Sequence, residues 1–155
     1  MSSDKIPWLF GTTTKAPWSE FGLIAVSNSI VQELINLPVI LEKSGIERSY
    51  NKRIDNESIP IIILGGANAA NCSILMHNDS PVDVIFAGGD YFLIQRIFET
   101  VRDMKTAGKS KREICLALSN IDGAVLPDKS STTKAYNSSD LNRQILTKGS
   151  PFFYG

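Results

Sequence analysis

Histidine is nearly absent from this chain and cysteine is scarce: one His and two Cys stand among 155 residues. Any Ser-His-Asp or Cys-His mechanism would have to run through His77. Cys72, five residues before it, would face the other side of a shared strand. A zinc site on one histidine needs further ligands, and only Asp79 stands at ligand spacing. No metal and no cofactor are expected. Two thiols are too few for a disulfide framework and point to a reducing compartment. Net charge is missing too: sixteen basic and sixteen acidic residues cancel, which leaves no electrostatic case for nucleic acid or an anionic membrane. The densest apolar run, "IPIIIL" at 59–64, is far below the roughly 20 residues that span a bilayer. The opening "MSSDKIPWLF" lacks the order of a secretory leader. A cytoplasmic protein is expected.

What is present is an ordinary globular balance, 43% apolar and 21% charged, in a length that suits one domain. Residues 1–126 are expected to form it, with 1–11 a candidate pro-segment and 127–155 a polar tail or long loop ending in the aromatic "PFFYG". "GLIAV" at 22–26, "IPIIIL" at 59–64, "CSILMH" at 72–77 and "VDVIFA" at 82–87 read as strands. The last three are joined by short connections, which predicts an antiparallel meander. "SIVQELINL" at 29–37 has helical spacing that Pro38 should end or kink, and 42–58 reads as a connecting loop. Asp90 is a candidate N-cap for a helix to about Met104, with a stripe from Leu93 through Ile97 to Val101. Ser110 and Glu113 form a capping-box pattern for a second helix over 111–120. "KTAGKSKR" at 105–112, four basic residues without an acid, reads as a solvated loop between them. The expected fold class is α/β (α+β): a mainly antiparallel sheet with packed helices, as in a layered αββα sandwich.

One stretch supports catalysis without histidine. In "FGTTTK", release of Thr12 by cleavage after Gly11 would join a hydroxyl nucleophile to its own α-amine as base. That chemistry needs a nearby cation to lower the amine's pKa and backbone donors for the oxyanion. "G-TTT", Gly22 ten residues after the first threonine, and the strand "LIAVSNS" resemble the start of a proteasome-type β-subunit, an N-terminal nucleophile hydrolase. The order of strands, glycine-rich turn and two helices over 59–126 is similar to the later half of that family. The resemblance implies peptide-bond hydrolysis by Thr12, with Lys52 (or its rival Lys43) as the tuning cation and amides near Gly66 as the oxyanion donors. It also implies a homo- or hetero-oligomer. Asn28 stands where such subunits carry an aspartate, and Gly88 where they carry a serine; Asp122 is a counterpart for their late aspartate.

Two other readings belong to different classes. The apolar ends "IPWLF" and "PFFYG" suit a non-catalytic assembly subunit that docks onto a partner protein. The glycine pairs 65–66 and 88–89, each closing an apolar strand, suit a small-molecule-binding α/β domain. Phosphate is disfavoured at the second pair, because Asp90 puts a negative charge where the anion would sit.

Overall fold

The computed structural model describes residue 9 and residues 11–88 and 90–128. β-Branched and aliphatic residues build four strands, β1 (Leu23–Ser27), β2 (Ile61–Gly65), β3 (Val84–Phe86) and β4 (Ala124–Val125), in the order β1-β2-β3-β4. β1 and β3 both run parallel to β2, and only β4 is antiparallel to its neighbour. The expected mainly antiparallel sheet is therefore corrected to a mostly parallel one, in a single sheet rather than an αββα sandwich.

The reason lies in the connections. "CSILMH" does not form a strand; single 3-10 turns occupy Ala69–Asn71 and Ser73–Leu75. The segment from β2 to β3 is thus a long crossover, long enough to return the chain in the same direction. The β1–β2 crossover carries a 3-10 turn at Val31–Ile35 and two helices, α1 (Leu37–Lys43) and α2 (Tyr50–Arg53). Pro38 does not end a helix there. It sits in the first turn of α1, where a missing N–H costs no intrahelical bond. α3 (Tyr91–Thr106) and α4 (Lys111–Leu118) lie close to their predicted bounds.

The sheet separates two apolar layers by simple alternation. Ile61, Ile63, Val84 and Phe86 pack with α3 and α4, through Ile97, Val101, Ile114 and Leu118. Ile62, Leu64 and Ile85 pack on the other side with Leu37 and Leu41 of α1 and with Ala69, Cys72 and Leu75 of the second crossover. Among the described residues, α1 and the second crossover cover one face, while α3 and α4 cover the other together with Tyr50 and Ile54 of the first crossover. Among the described residues, no helix is long and apolar enough to cross a membrane.

The base of the sheet is closed by buried charge. Asp83, Arg53 and Lys111 have side chains at most 1% exposed. Asp83 Oδ1 accepts from Arg53 Nε at 2.9 Å, and Oδ2 lies 3.1 Å from Lys111 Nζ. Oδ2 also accepts the Ile62 amide at 2.8 Å, and the Asp83 amide donates to Ile62 O at 2.8 Å. The remaining donors are satisfied by carbonyls: Arg53 donates to Glu47 O and Ser80 O, and Lys111 to Pro60 O and Ile59 O. Burial pulls the Lys111 ammonium below the ordinary lysine range, against the opposing pull of Asp83. The basic "KTAGKSKR" is thus not wholly solvated, since its Lys111 is a core residue.

Two predictions follow from these contacts. Asp83→Asn leaves two buried cations without a counter-charge and is expected to cost about 3–5 kcal/mol in urea unfolding. Lys111→Met keeps the Arg53–Asp83 pair and is expected to cost clearly less; equal losses would contradict the assignment of Asp83 as the hub. At α4, Ser110 N and Oγ bind Glu113 Oε2 at 2.9 and 2.8 Å, and these bonds hold the Glu113 carboxyl down to about 2. A depressed carboxylate contributes stability above its unfolded pKa and loses it as pH falls through the folded one. The melting difference between wild type and Glu113→Gln should therefore be constant near neutrality and vanish as pH falls from the usual carboxylate range to about 2.

Candidate functional site: an apolar cleft at the carboxyl edge of the parallel strands

β1 is the edge strand, and its sequence decides what stands open beside it. Gly22 O accepts from Ile61 N at 3.2 Å and Asn28 N donates to Gly65 O at 2.8 Å. The even-numbered residues of β1 thus bond to β2, and the peptide groups of Leu23, Ala25 and Ser27 point out of the sheet's edge. Ile24 and Val26 are packed with Leu9 and Trp18 on the α1 side. On the α3 side the corresponding residues are small, and Ala25 and Ser27 are exposed.

α3 closes on β1 only at the base. There the methylenes of Lys105 lie 3.2 Å from where a Cβ on Gly22 would stand. Toward its N-terminus the helix leaves a cleft of about 450 Å³. Ile94 and Phe98, 36% and 47% exposed, form its outer wall. Ala25, Ile63, Gly65 and Phe86 form the floor, and Ser27, Gly66, Ala67 and Gly88 the rim at the strands' carboxyl ends. No charged side chain lines it among the described residues.

Gly66 is required at that rim. Its φ is +103°, and a Cβ would stand 2.5 Å from Asn28 O and 2.7 Å from Asn28 N. The two strand ends can approach this closely only where one residue has no side chain. Asn28 itself is buried. Its Nδ2 donates to Ile30 O at 2.7 Å, while its Oδ1 has no partner among the described residues. A buried acceptor left open beside the rim is a place for a water or a ligand donor.

A second groove of about 510 Å³ holds three of the polar residues singled out in the sequence, Lys52, His77 and Asp79. Its hydrogen bonds are mostly internal. Ser49 Oγ donates to Asp79 Oδ1 at 2.9 Å, and the Asp79 amide donates to His77 Nδ1 at 3.2 Å. The first amides of α2 are taken by Ser80 O and Asn78 O, both at 2.9 Å. The cluster fixes the turn before β3. Among the described residues, no group of three His, Cys, Asp or Glu side chains is placed to hold a metal ion.

The residues predicted for threonine chemistry fall in separate places. Gly66 lines the apolar cleft, Lys52 lines the polar groove, and Thr12 lies in an exposed turn that borders neither. Asp90 caps α3, its Oδ1 accepting the Phe92 amide at 2.9 Å, so a carboxylate already occupies that helix start. The cleft's floor residues Ala25 and Ile63 went unnoticed in the sequence. For Ala25 the signal was small side chains at alternate positions of β1, and Ile63 read only as part of a buried strand.

Residues 1–127 match the family described as "Radical SAM proteins, N-terminal". No match emerged among curated proteins or among solved structures. The family match overturns the resemblance to proteasome-type β-subunits and, with it, the threonine peptidase reading. Nor does it support the non-catalytic docking subunit. The short "G-TTT" and strand–turn–helix patterns that carried the likeness occur wherever α/β chains turn tightly.

Radical SAM chemistry relies on an iron–sulfur cluster and S-adenosylmethionine, and clusters are held by cysteine thiolates. The donor set here does not fit one. Cys72 and Cys115 are the only cysteines, both are buried, and they lie in the two apolar layers on opposite faces of the sheet. Cys72 Sγ donates to Asn68 O, and burial raises its pKa. Burial and the nearby Asp83 carboxylate push the Cys115 thiol up to about 12. Both thiols are therefore expected to resist a disulfide reagent at neutral pH in the native protein and to react together once urea unfolds it. Fast labelling of either one in the folded state would contradict this burial.

Proposed function

Since the chain belongs to the radical SAM N-terminal family, we propose that it serves a radical SAM protein as its small-molecule-binding α/β module. The apolar cleft at the carboxyl ends of β1, β2 and β3 is the binding site. The observation that carries this reading is the cleft's position. In open α/β sheets, ligands bind in the crevice outside the carboxyl ends of parallel strands, and about 450 Å³ of mainly apolar lining lies within the usual range for small-molecule sites.

The chain's own residues do the binding and orienting. Gly66 lets the rim form, Ser27 offers a neutral hydroxyl, and α3 shields one side from water. The cysteine ligands that radical chemistry needs would come from outside these 155 residues. The small-molecule reading rested in the sequence on its two glycine pairs, and Gly66 and Gly88 are rim residues.

The test has two arms on the full chain. Anaerobic treatment with iron and sulfide is expected to leave no bound cluster by visible absorption. A set of small fragments of mixed charge, screened by amide NMR, is expected to shift Ala25, Ser27, Gly66 and Ala67 before any other group. Fragment hits confined to the groove around Lys52 and His77 would contradict the reading, as would a cluster lost on Cys72→Ser or Cys115→Ser.

A further inference from the structure

Resting on that binding site, we propose that its ligand is an uncharged, flat ring system laid on the floor of the cleft against α3. Five features point to this class. The floor sets the small residues Ala25 and Gly65 beside the side chains of Ile63 and Phe86, so a planar ligand has an apolar surface with an aromatic ring to lie on. Phe98 and Ile94 stand opposite that floor and are incompletely covered by the protein's own side chains. Aromatic rings on both sides of the cleft, Phe98 in the wall and Phe86 in the floor, favour a stacked ring over a chain.

The polar contacts offered are neutral: the Ser27 hydroxyl and the outward peptide groups of the β1 edge. A charged ligand group would be desolvated without a counter-charge, which costs more than the remaining contacts return. The start of α3 already carries the Asp90 carboxylate, which accepts the Phe92 amide at 2.9 Å and opposes a second negative charge there. Lys105 lies over Gly22, at the opposite end of β1 from the rim.

The experiment compares indole with indole-5-carboxylate on the full chain, by saturation-transfer and amide NMR, in wild type and in Ala25→Leu. Ala25 is exposed and its leucine variant fills the cleft without entering the core. Indole is expected to shift the amides of Ala25, Ser27 and Gly66, and to bind at least about tenfold more weakly to Ala25→Leu. The carboxylate should bind wild type at least about tenfold more weakly than indole does. Equal or tighter binding of the carboxylate at the same amides would overturn the ligand class and leave the binding site standing. Silence of those amides toward both probes would overturn the ligand class and the site together. Indole binding undiminished by Ala25→Leu would place the ring elsewhere and equally defeat the proposal.

Discussion

One carboxylate holds the base of this molecule together. Asp83 has no exposure, yet it receives a guanidinium from α2, an ammonium from α4 and a backbone amide from β2. Removing three charges from water is expensive, and such a cluster persists only because nearly every donor finds an oxygen. Those oxygens belong to three different parts of the chain, the carbonyls of Glu47, of Ile59 and Pro60, and of Ser80. The cluster fixes how the crossovers, the strands and the helical pair meet. With register set at the strands' amino ends, their carboxyl ends carry little of the structural burden.

That division explains why the cleft can exist. α1 and the second crossover pack on one face, and on the other α3 buries Ile97 and Val101 over the middle of the sheet, with Tyr50 and Ile54 beside them. β1 is left with a bare flank, and small side chains at Ala25 and Ser27 keep it open. An exposed edge of this kind invites wrong pairing unless something covers or uses it. A bound ring would bury Phe98 and Ile94 as well as the floor. In a radical SAM protein such a module would supply recognition, while a cluster held by thiolates elsewhere would supply the radical chemistry.

The parts of the fold that were legible in the sequence were those with local causes. The capping residues Asp90 and Ser110 and the stripes behind them marked α3 and α4, and β-branched runs marked β1 and β2. Strand direction was not legible, because it hangs on one misread segment. "CSILMH" has strand-like composition, but its apolar residues Cys72 and Leu75 are spaced to cover a sheet from above. The buried cluster was equally hidden. Arg53 and Lys111 sit in polar stretches and look like surface charge until Asp83, distant in sequence from both, is placed between them. Of the candidate site, only the glycines were visible beforehand. They were noticed for their turns, and Gly66 is needed because Asn28 passes within 2.5 Å of its missing Cβ.

Native-state hydrogen exchange tests this account most directly, because it reads base and cleft in one experiment. If buried charge anchors the amino ends while the carboxyl edge stands open, the Ile62 and Asp83 amides should exchange only through global unfolding. The Ala25 and Ala67 amides should exchange through far smaller openings and slow down when a ring ligand is added. An Ile62 amide that exchanges as readily as Ala25 would contradict the anchored base, and with it the explanation of how the cleft is kept open.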